Sequence, residues 1–322
     1  MTEVTVSGAR EPRDDPRPPG DSGQLWHAVD RLLDRSSLTG IVAHRLGPLA
    51  ASRLRRLERP VPGELRQQER AASIANASAI PLLRRIRASC DGPLVLLKGP
   101  EIACLYPESG RDFGDLDLLS PQAEEVHRSL VGAGFSVVGD QVPARHHHLQ
   151  PLRWPTGTLN VEVHTHPNWP KHLPVLGVSE ILASGAPSRL GIDGLLAPSD
   201  VHHSLILAVH GWQHQPLRVV RDLIDLAAVS LAADEREIER GAAALSVERV
   251  WRTARRAVGA LFYGERRSPS LLTWARSLDR VRPRTAREID LEALISPFWW
   301  MPAPDALAHA ARLVRRRLSA PA

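Results

Sequence analysis

The sequence predicts an α+β fold, a small mixed β-sheet preceded by helices and followed by a helical C-terminal domain. Two contrasts carry this prediction. Apolar residues recur at helical spacing before residue 90 and again beyond Pro198, whereas the stretch between them holds short apolar runs and one strict alternation. Within that stretch, Asp115 and Asp117 sit two residues apart in the apolar run Phe113 to Leu119. On a strand both point to one face while Leu116 and Leu118 point to the other. Two like charges on a strand face lose hydration and repel each other, and a divalent cation removes both penalties. The pair therefore has the geometry of a metal site, and neutralising either aspartate should relieve repulsion in the metal-free chain.

Taken in order, residues 1–22 are rich in Pro, Gly, Asp and Arg without periodicity, and disorder is expected there. Residues 23–90 form an N-terminal helical segment. Leu25, Val29, Leu32 and Leu33, then Ile41, Val42 and Leu46, fall at helical spacing until Pro60 and Pro62 interrupt them. A long helix follows over 63–89, with Ala71, Ile74, Ala75, Ala79, Leu82, Leu83 and Ile86 inward and Pro81 as a kink or break. The sheet-bearing core spans 91–170. It begins with the turn Asp91-Gly92-Pro93, a strand at Leu94 to Leu97, a helical turn at Glu101 to Tyr106 and a strand at Phe113 to Leu119. Ser120 should cap a helix over Pro121 to Gly132. Strands are expected at Phe135 to Val138, Arg145 to Leu152 and Thr158 to Thr165; the last places Leu159, Val161 and Val163 on one face and Asn160, Glu162 and His164 on the other. Residues 171–322 make the helical C-terminal domain, with helices at Ser199 to Trp212, Leu217 to Leu231, Glu235 to Leu245, Val247 to Phe262 and Asp305 to Leu318.

Composition narrows the function classes. Hydrophobic residues make up 43% of the 322, enough to bury a substantial core. No apolar run approaches the roughly 18 residues that span a bilayer, and the first twenty lack the apolar stretch of a secretory signal, so a cytoplasmic protein without membrane contact is expected. Two cysteines, Cys90 and Cys104, make a disulfide framework implausible. The net charge of +5 is too small to mark a nucleic-acid binder by itself; its local excess lies at Arg53, Arg55 and Arg56 and at Arg315, Arg316 and Arg317. Lys98 and Lys171 are the only lysines in an arginine-rich chain, and Lys98 precedes the paired aspartates, where a compact point charge has a use.

The ordered set Leu96-Leu97-Lys98-Gly99, Leu105-Tyr106-Pro107, Arg111, Asp115-Leu116-Asp117-Leu118-Leu119, Gly134-Phe135 and Val161-Glu162-Val163-His164 resembles the uncharacterised bacterial nucleotidyltransferases of the DNA polymerase beta superfamily. The resemblance extends over roughly residues 90 to 230, with Pro198 to Asp225 similar to that family's helical segment bearing an inner histidine and a following aspartate. It implies an enzyme that moves a nucleoside monophosphate from an NTP to a hydroxyl of a small molecule or peptide and releases pyrophosphate. Such chemistry uses two Mg²⁺ or Mn²⁺ ions about 3.5–4 Å apart. Asp115 and Asp117 would bridge them, with Glu162 as third carboxylate and candidate proton acceptor. Lys98, Gly99 and Arg111 are the candidate phosphate contacts, and His210 with Asp222 or Asp225 would face the nucleotide from the helical half. The chain departs from the superfamily's usual Gly-Ser or Gly-Gly pair, because Gly99 is followed by Pro100, which has no amide to donate.

Two alternatives accompany this reading: a toxin-like enzyme with tRNA as acceptor, and a catalytically silent nucleotide-binding or regulatory protein of the same fold. The fourteen histidines raise a different metal. His164 and His166 share a face with Glu162, and His210 and His214 have the i, i+4 spacing of zinc helices. No third ligand is fixed by spacing, and His146-His147-His148 cannot place all three rings on one strand face, so magnesium or manganese is expected rather than zinc.

Overall fold

The computed structural model describes residues 22–108, 110–139, 147–169, 173–174, 176–214, 219–267, 285–299 and 301–318. The tail expected to be disordered, apart from its last residue, lies outside the described residues, as do Lys171, His146 and the first residue of the strand expected from Arg145.

Four helices come first: α1 (Ser22–Asp34), α2 (Leu38–Ala43), α3 (Gly47–Arg56) and α4 (Gly63–Ala88). Ser37 ends the approach to α2 by accepting a hydrogen bond from the Gly40 amide at 3.1 Å, satisfying one otherwise orphaned donor. Pro81 lies inside α4 without ending it. The proline removes one backbone hydrogen bond, but Ala79, Leu82, Leu83 and Ile86 on either side are buried. At about 1.5–3 kcal/mol for each large side chain, that burial holds the helix across the gap. The buried stripe is Leu65, Ala72, Ala75, Ala79, Leu82, Leu83 and Ile86; Ala71 and Ile74, expected inward, are exposed. Both are offset from the true stripe by one residue, which on a helix is a rotation of about 100°.

The sheet has seven strands in the order β3-β4-β5-β2-β1-β7-β6. They are β1 (Leu94–Leu96), β2 (Asp115–Leu119), β3 (Ser136–Val137), β4 (Leu152–Arg153), β5 (Asn160–His164), β6 (Ala186–Pro187) and β7 (Leu195–Ala197). β2 runs parallel to β5 and β1 parallel to β7, while the other pairs are antiparallel, so the sheet is mixed as predicted. The one-turn helix α5 (Pro100–Ala103) links β1 toward β2, and α6 (Ala123–Gly132) leaves β2. Ser120 does not cap α6; its hydroxyl accepts from the Gln122 amide at 3.2 Å in the turn before the helix. Of the strand expected over Arg145 to Leu152, the described part shows only an isolated His148–His164 bridge before β4.

One sheet face is apolar throughout. Leu94, Leu96, Leu116, Leu118, Val161 and Val163 pack with Leu83 and Ile86 of α4 and Val126 and Leu130 of α6. The opposite face is divided: Val95 and Leu119 join the core formed with α8 (Asp200–His214) and α9 (Val220–Ser230), while Asp115, Asp117 and Glu162 sit on the same side beyond that contact. The remaining helices are α7 (Val178–Ala183), α10 (Glu235–Ala244), α11 (Glu248–Phe262), α12 (Ala286–Ile295) and α13 (Ala303–Leu318). α7, α12 and the β6–β7 hairpin were not predicted. β7 is three residues long and buried against β1, too short for either periodicity to register, and it carries the sheet past residue 170 to residue 197. Among the described residues no helix is long and apolar enough to cross a membrane.

Because α4 exposes one aliphatic residue and buries another, it provides an internal control. Leu83→Ala should lower the unfolding free energy by about 2–5 kcal/mol. Ile74→Ala, at a position 53% exposed, should stay within roughly 0.5 kcal/mol of wild type. Urea titrations followed by circular dichroism would read both.

Candidate active site

β2 and β5 create the site by pairing in parallel with Asp117 opposite Glu162 and Asp115 opposite Asn160. Directly paired residues project to one side, so the three carboxylates share the sheet face that the helices leave partly open. Asp117 is the innermost, 2% exposed. Its Oδ1 lies 2.9 Å from His164 Nε2 and 3.4 Å from Lys98 Nζ, whereas Oδ2 is buried without a hydrogen bond among the described residues.

The three carboxyls respond differently to this setting. Burial opposes charge on Asp117, but Lys98 and the His164 hydrogen bond outweigh it and hold the pKa far below the usual carboxylate range. Asp115 moves upward, through burial first and the neighbouring Asp117 charge second. Glu162 also moves upward, through burial and then Asp117, with His148 opposing. This face of β2 and β5 thus carries one firmly ionised carboxylate flanked by two that resist ionisation.

The turn after β1 brings in the cation. Lys98 Nζ is also 3.4 Å from Nε2 of His210 on α8. Gly99 follows with φ +66°, and a Cβ there would sit 3.1 Å from the Asp115 carbonyl oxygen, so only glycine allows the turn to lie this close to β2. Arg111 is not turned toward an open phosphate site. Its Nε and Nη2 donate to the two oxygens of Asp225 on α9, each at 2.8 Å, and Nη1 donates to the Gly99 carbonyl at 3.1 Å. Tyr106 adds a hydrogen bond to Asp225 Oδ1 at 2.6 Å. Nor does Arg111 pair with Asp112, whose carboxylate accepts from Arg221 Nη1 at 2.9 Å.

These residues enclose a cleft of ≈ 370 Å³, lined on the sheet side by Lys98, Gly99, Asp115, Asp117 and Asn160 and on the other by Arg45, His210, Arg221 and Asp222. A third of the Asp222 side chain is exposed, and its pKa is raised chiefly by burial. The candidates Lys98, Gly99, Arg111, His210 and Asp222 therefore meet at one cleft with Asp115 and Asp117, while Glu162 stands beside them on β5 rather than in its lining. Arg45 and Arg221 were missed as cleft residues. Arg221 directly precedes Asp222, a signal that could have marked it; Arg45 comes from the turn after α2, at φ +54°, and nothing in its sequence neighbourhood announces it. The side chain of His214 lies outside the described residues, so the His210–His214 spacing has no structural counterpart to report.

The donor set suits a hard divalent cation: carboxylates on one face, one with an unsatisfied buried oxygen and one whose pKa is raised by burial first and by a like charge second, both of which a cation would offset. Asp115, Asp117 and Glu162 are the residues that would hold it.

The two aspartates, alike in sequence, should differ in their effect on stability. The folded pKa of Asp115 is raised, so its ionisation costs stability above that pKa, and the cost disappears as pH falls below the unfolded value near ~3.9. For Asp117 the folded pKa is depressed, so its contribution is present above the unfolded value and is lost as pH falls toward the folded one. Asp115→Asn should therefore raise the thermal midpoint at pH 7, and Asp117→Asn should lower it and flatten acid destabilisation below about pH 4. Melting curves from pH 2 to pH 8 would separate them. Asp225→Ala leaves Arg111 buried without its partner and should cost about 3–5 kcal/mol in urea unfolding.

The model of the family described as "Uncharacterised nucleotidyltransferase" matches residues 23–263, from α1 to the end of α11. No curated protein matches the chain. Among solved structures, the solution structure of the antibiotic-resistance factor ANT(2'')-Ia, described as revealing substrate-regulated conformation dynamics, aligns with a TM-score of 0.37 and 15% identity over 59% of this chain and 100% of that one. With the family model covering most of the chain and the paired carboxylates in place on β2, the protein belongs to the family of uncharacterised nucleotidyltransferases.

Proposed function

We propose that the chain transfers a nucleoside monophosphate from an NTP to a hydroxyl of a small molecule or peptide. The observation that carries this reading is the placement of Asp115 and Asp117 on one strand face, Asp117 in register with Glu162, at a cleft also lined by the cations Lys98, Arg45, Arg111 and Arg221. In the reaction the acceptor oxygen forms a bond to the α-phosphorus while the bond from that phosphorus to the bridging oxygen breaks, and pyrophosphate leaves. Mg²⁺ or Mn²⁺ held by Asp115, Asp117 and Glu162 would supply positive charge that acidifies the attacking hydroxyl and offsets the triphosphate.

The chain's own groups do the rest. Lys98, Arg45 and Arg221 provide positive charge where the triphosphate oxygens lie, and Gly99 lets the backbone approach them. Arg111 acts as a positioning residue, fixing α9 and the Gly99 carbonyl rather than binding phosphate directly. Glu162, in register with Asp117 on β5, is the candidate acceptor of the hydroxyl's proton. His210 and Asp222 contact the nucleotide from the helical side.

The paired cations of the N-terminal helices favour a small acceptor over tRNA. Arg53 pairs with Asp30 and Asp34, Arg55 with Glu69 and Arg56 with Asp30, so this run offers little free charge to a phosphate backbone. Arg315 is exposed on α13, and the side chains of Arg316 and Arg317 lie outside the described residues.

The reading is tested by thermal stability of the purified chain with each NTP. With Mg²⁺, one NTP at a hundred times its Kd should add about 2.7 kcal/mol. EDTA should abolish the shift, and Asp115→Asn/Asp117→Asn should eliminate it along with turnover. A nucleotide shift that persists without metal and in the double variant would leave the silent nucleotide-binding reading in its place.

A further inference from the structure

Asp117 faces two different neighbourhoods. On the cleft side stands Lys98; on the other, along β5, stands a group of imidazoles to which the proposed function assigns no metal. His164 and Glu162 follow one another on the same face of β5, and the isolated bridge between His148 and His164 lays a further histidine alongside them. His164 Nε2 is 2.9 Å from Asp117 Oδ1 and 3.7 Å from Glu162 Oε2, and His148 Nε2 is also 3.7 Å from Glu162 Oε2. The rings of His148 and His164 lie 5.4 Å apart, and the His147 ring is 5.2 Å from that of His164. One ligand atom each from Asp117, Glu162 and His164 falls within 4.8 Å of the others.

We infer that Asp117, Glu162 and His164, with His148 as fourth donor, form a mixed carboxylate–imidazole site for a first-row transition-metal ion. Bonds of about 2.0–2.1 Å to a tetrahedral ion separate the ligand atoms by about 3.3 Å. Three of the ligand-atom separations, 2.9 Å for His164 to Asp117 and 3.7 Å each for His164 and His148 to Glu162, lie close to that value. Asp117 and His164 are almost wholly buried, and Asp117 keeps one oxygen without a hydrogen bond among the described residues. The donor chemistry sets the metal class: Mg²⁺ takes oxygen and retains water, whereas imidazole nitrogen suits Mn²⁺, Co²⁺ and Zn²⁺ progressively better. This deepens the proposed function, on which its catalytic meaning rests, by making the ion on the Glu162 side a transition metal; its occupancy does not depend on that function.

The experiment uses Mn²⁺ alone, without nucleotide, as probe of the full-length chain, read by electron paramagnetic resonance with spin-echo detection of ¹⁴N coupling. Bound Mn²⁺ should show imidazole nitrogen. His164→Gln and His148→Ala should each diminish that coupling and weaken Mn²⁺ binding by about 10–100-fold. Stoichiometric Zn²⁺ should displace the nitrogen-coupled ion, and millimolar Mg²⁺ should not. Circular dichroism checks the folding of each variant; if His164→Gln misfolds, His148→Ala, at a side chain 11% exposed, carries the test. Absence of Mn²⁺ binding, bound Mn²⁺ without nitrogen coupling, or coupling unchanged in the folded variants would overturn the inference. A retained Mg²⁺-dependent NTP shift in the same preparation would then leave nucleotidyl transfer standing. Nitrogen coupling without any NTP shift would support the metal site and count against that function.

Discussion

The buried ion pair between Arg111 and Asp225 is the constraint on which the cleft depends. Its partners come from the two halves of the molecule, Arg111 from the loop entering β2 and Asp225 from α9, and each side chain is only 5% exposed. A guanidinium and a carboxylate taken this far from water are tolerable only when their hydrogen bonds are met. Here the carboxylate accepts two bonds from Arg111 and one from Tyr106, and the third guanidinium nitrogen, Nη1, donates to the Gly99 carbonyl. The same knot fixes three things at once: the rotation of α9, the path of the turn bearing Lys98, and the approach of the loop to β2. With α9 so oriented, Arg221 and Asp222, one turn earlier, line the cleft opposite the sheet.

That constraint explains why Asp115 and Asp117, two residues apart on one strand, are electrostatically unequal. The fixed turn delivers Lys98 to Asp117, and β5 delivers His164 to the same oxygen. Asp115 receives neither contact and feels the burial and the neighbouring charge. A chain selected for stability alone would have little use for Asp115 on this face. The remaining cost is the feature that favours a bound cation, because an ion would supply the charge that the protein withholds.

Much of this was legible in the sequence, for identifiable reasons. The Asp-Leu-Asp-Leu-Leu run and the Val161 to His164 alternation report their faces directly, since strand period is two and one face of this sheet is apolar throughout. The long helices α4, α8, α9 and α11 were visible from spacing, although Pro81 and the offset of Ala71 and Ile74 show that local breakers and an approximate stripe yield to packing. Illegible elements share a trait: their meaning lies in partners distant in sequence. Arg111 reads as a phosphate ligand beside the aspartates, yet its partner is 114 residues away. Arg45 contributes to the cleft only because the N-terminal helices fold back against the C-terminal half, where Val220 donates to His44 at 3.3 Å. β7 is defined by pairing with β1 and not by any pattern of its own.

The arrangement also gives the proposed reaction a direction. The cations Lys98, Arg45, Arg111 and Arg221 line the cleft, and Glu162 is absent from that lining. A triphosphate, carrying the larger negative charge, gains most from that side, and placing it there puts the α-phosphorus toward Asp117. The acceptor would then be left with the Glu162 side, where the groups at hand are that carboxylate and the imidazoles of His148 and His164. In-line displacement needs the entering oxygen opposite the leaving pyrophosphate. Two unlike environments at one ionised aspartate would meet that requirement: on the proposed reading, the cationic side would retain the leaving group and the imidazole side would receive the nucleophile. On the proposed arrangement, acceptor choice would belong to the surface around β4 and β5 rather than to the helical side of the cleft.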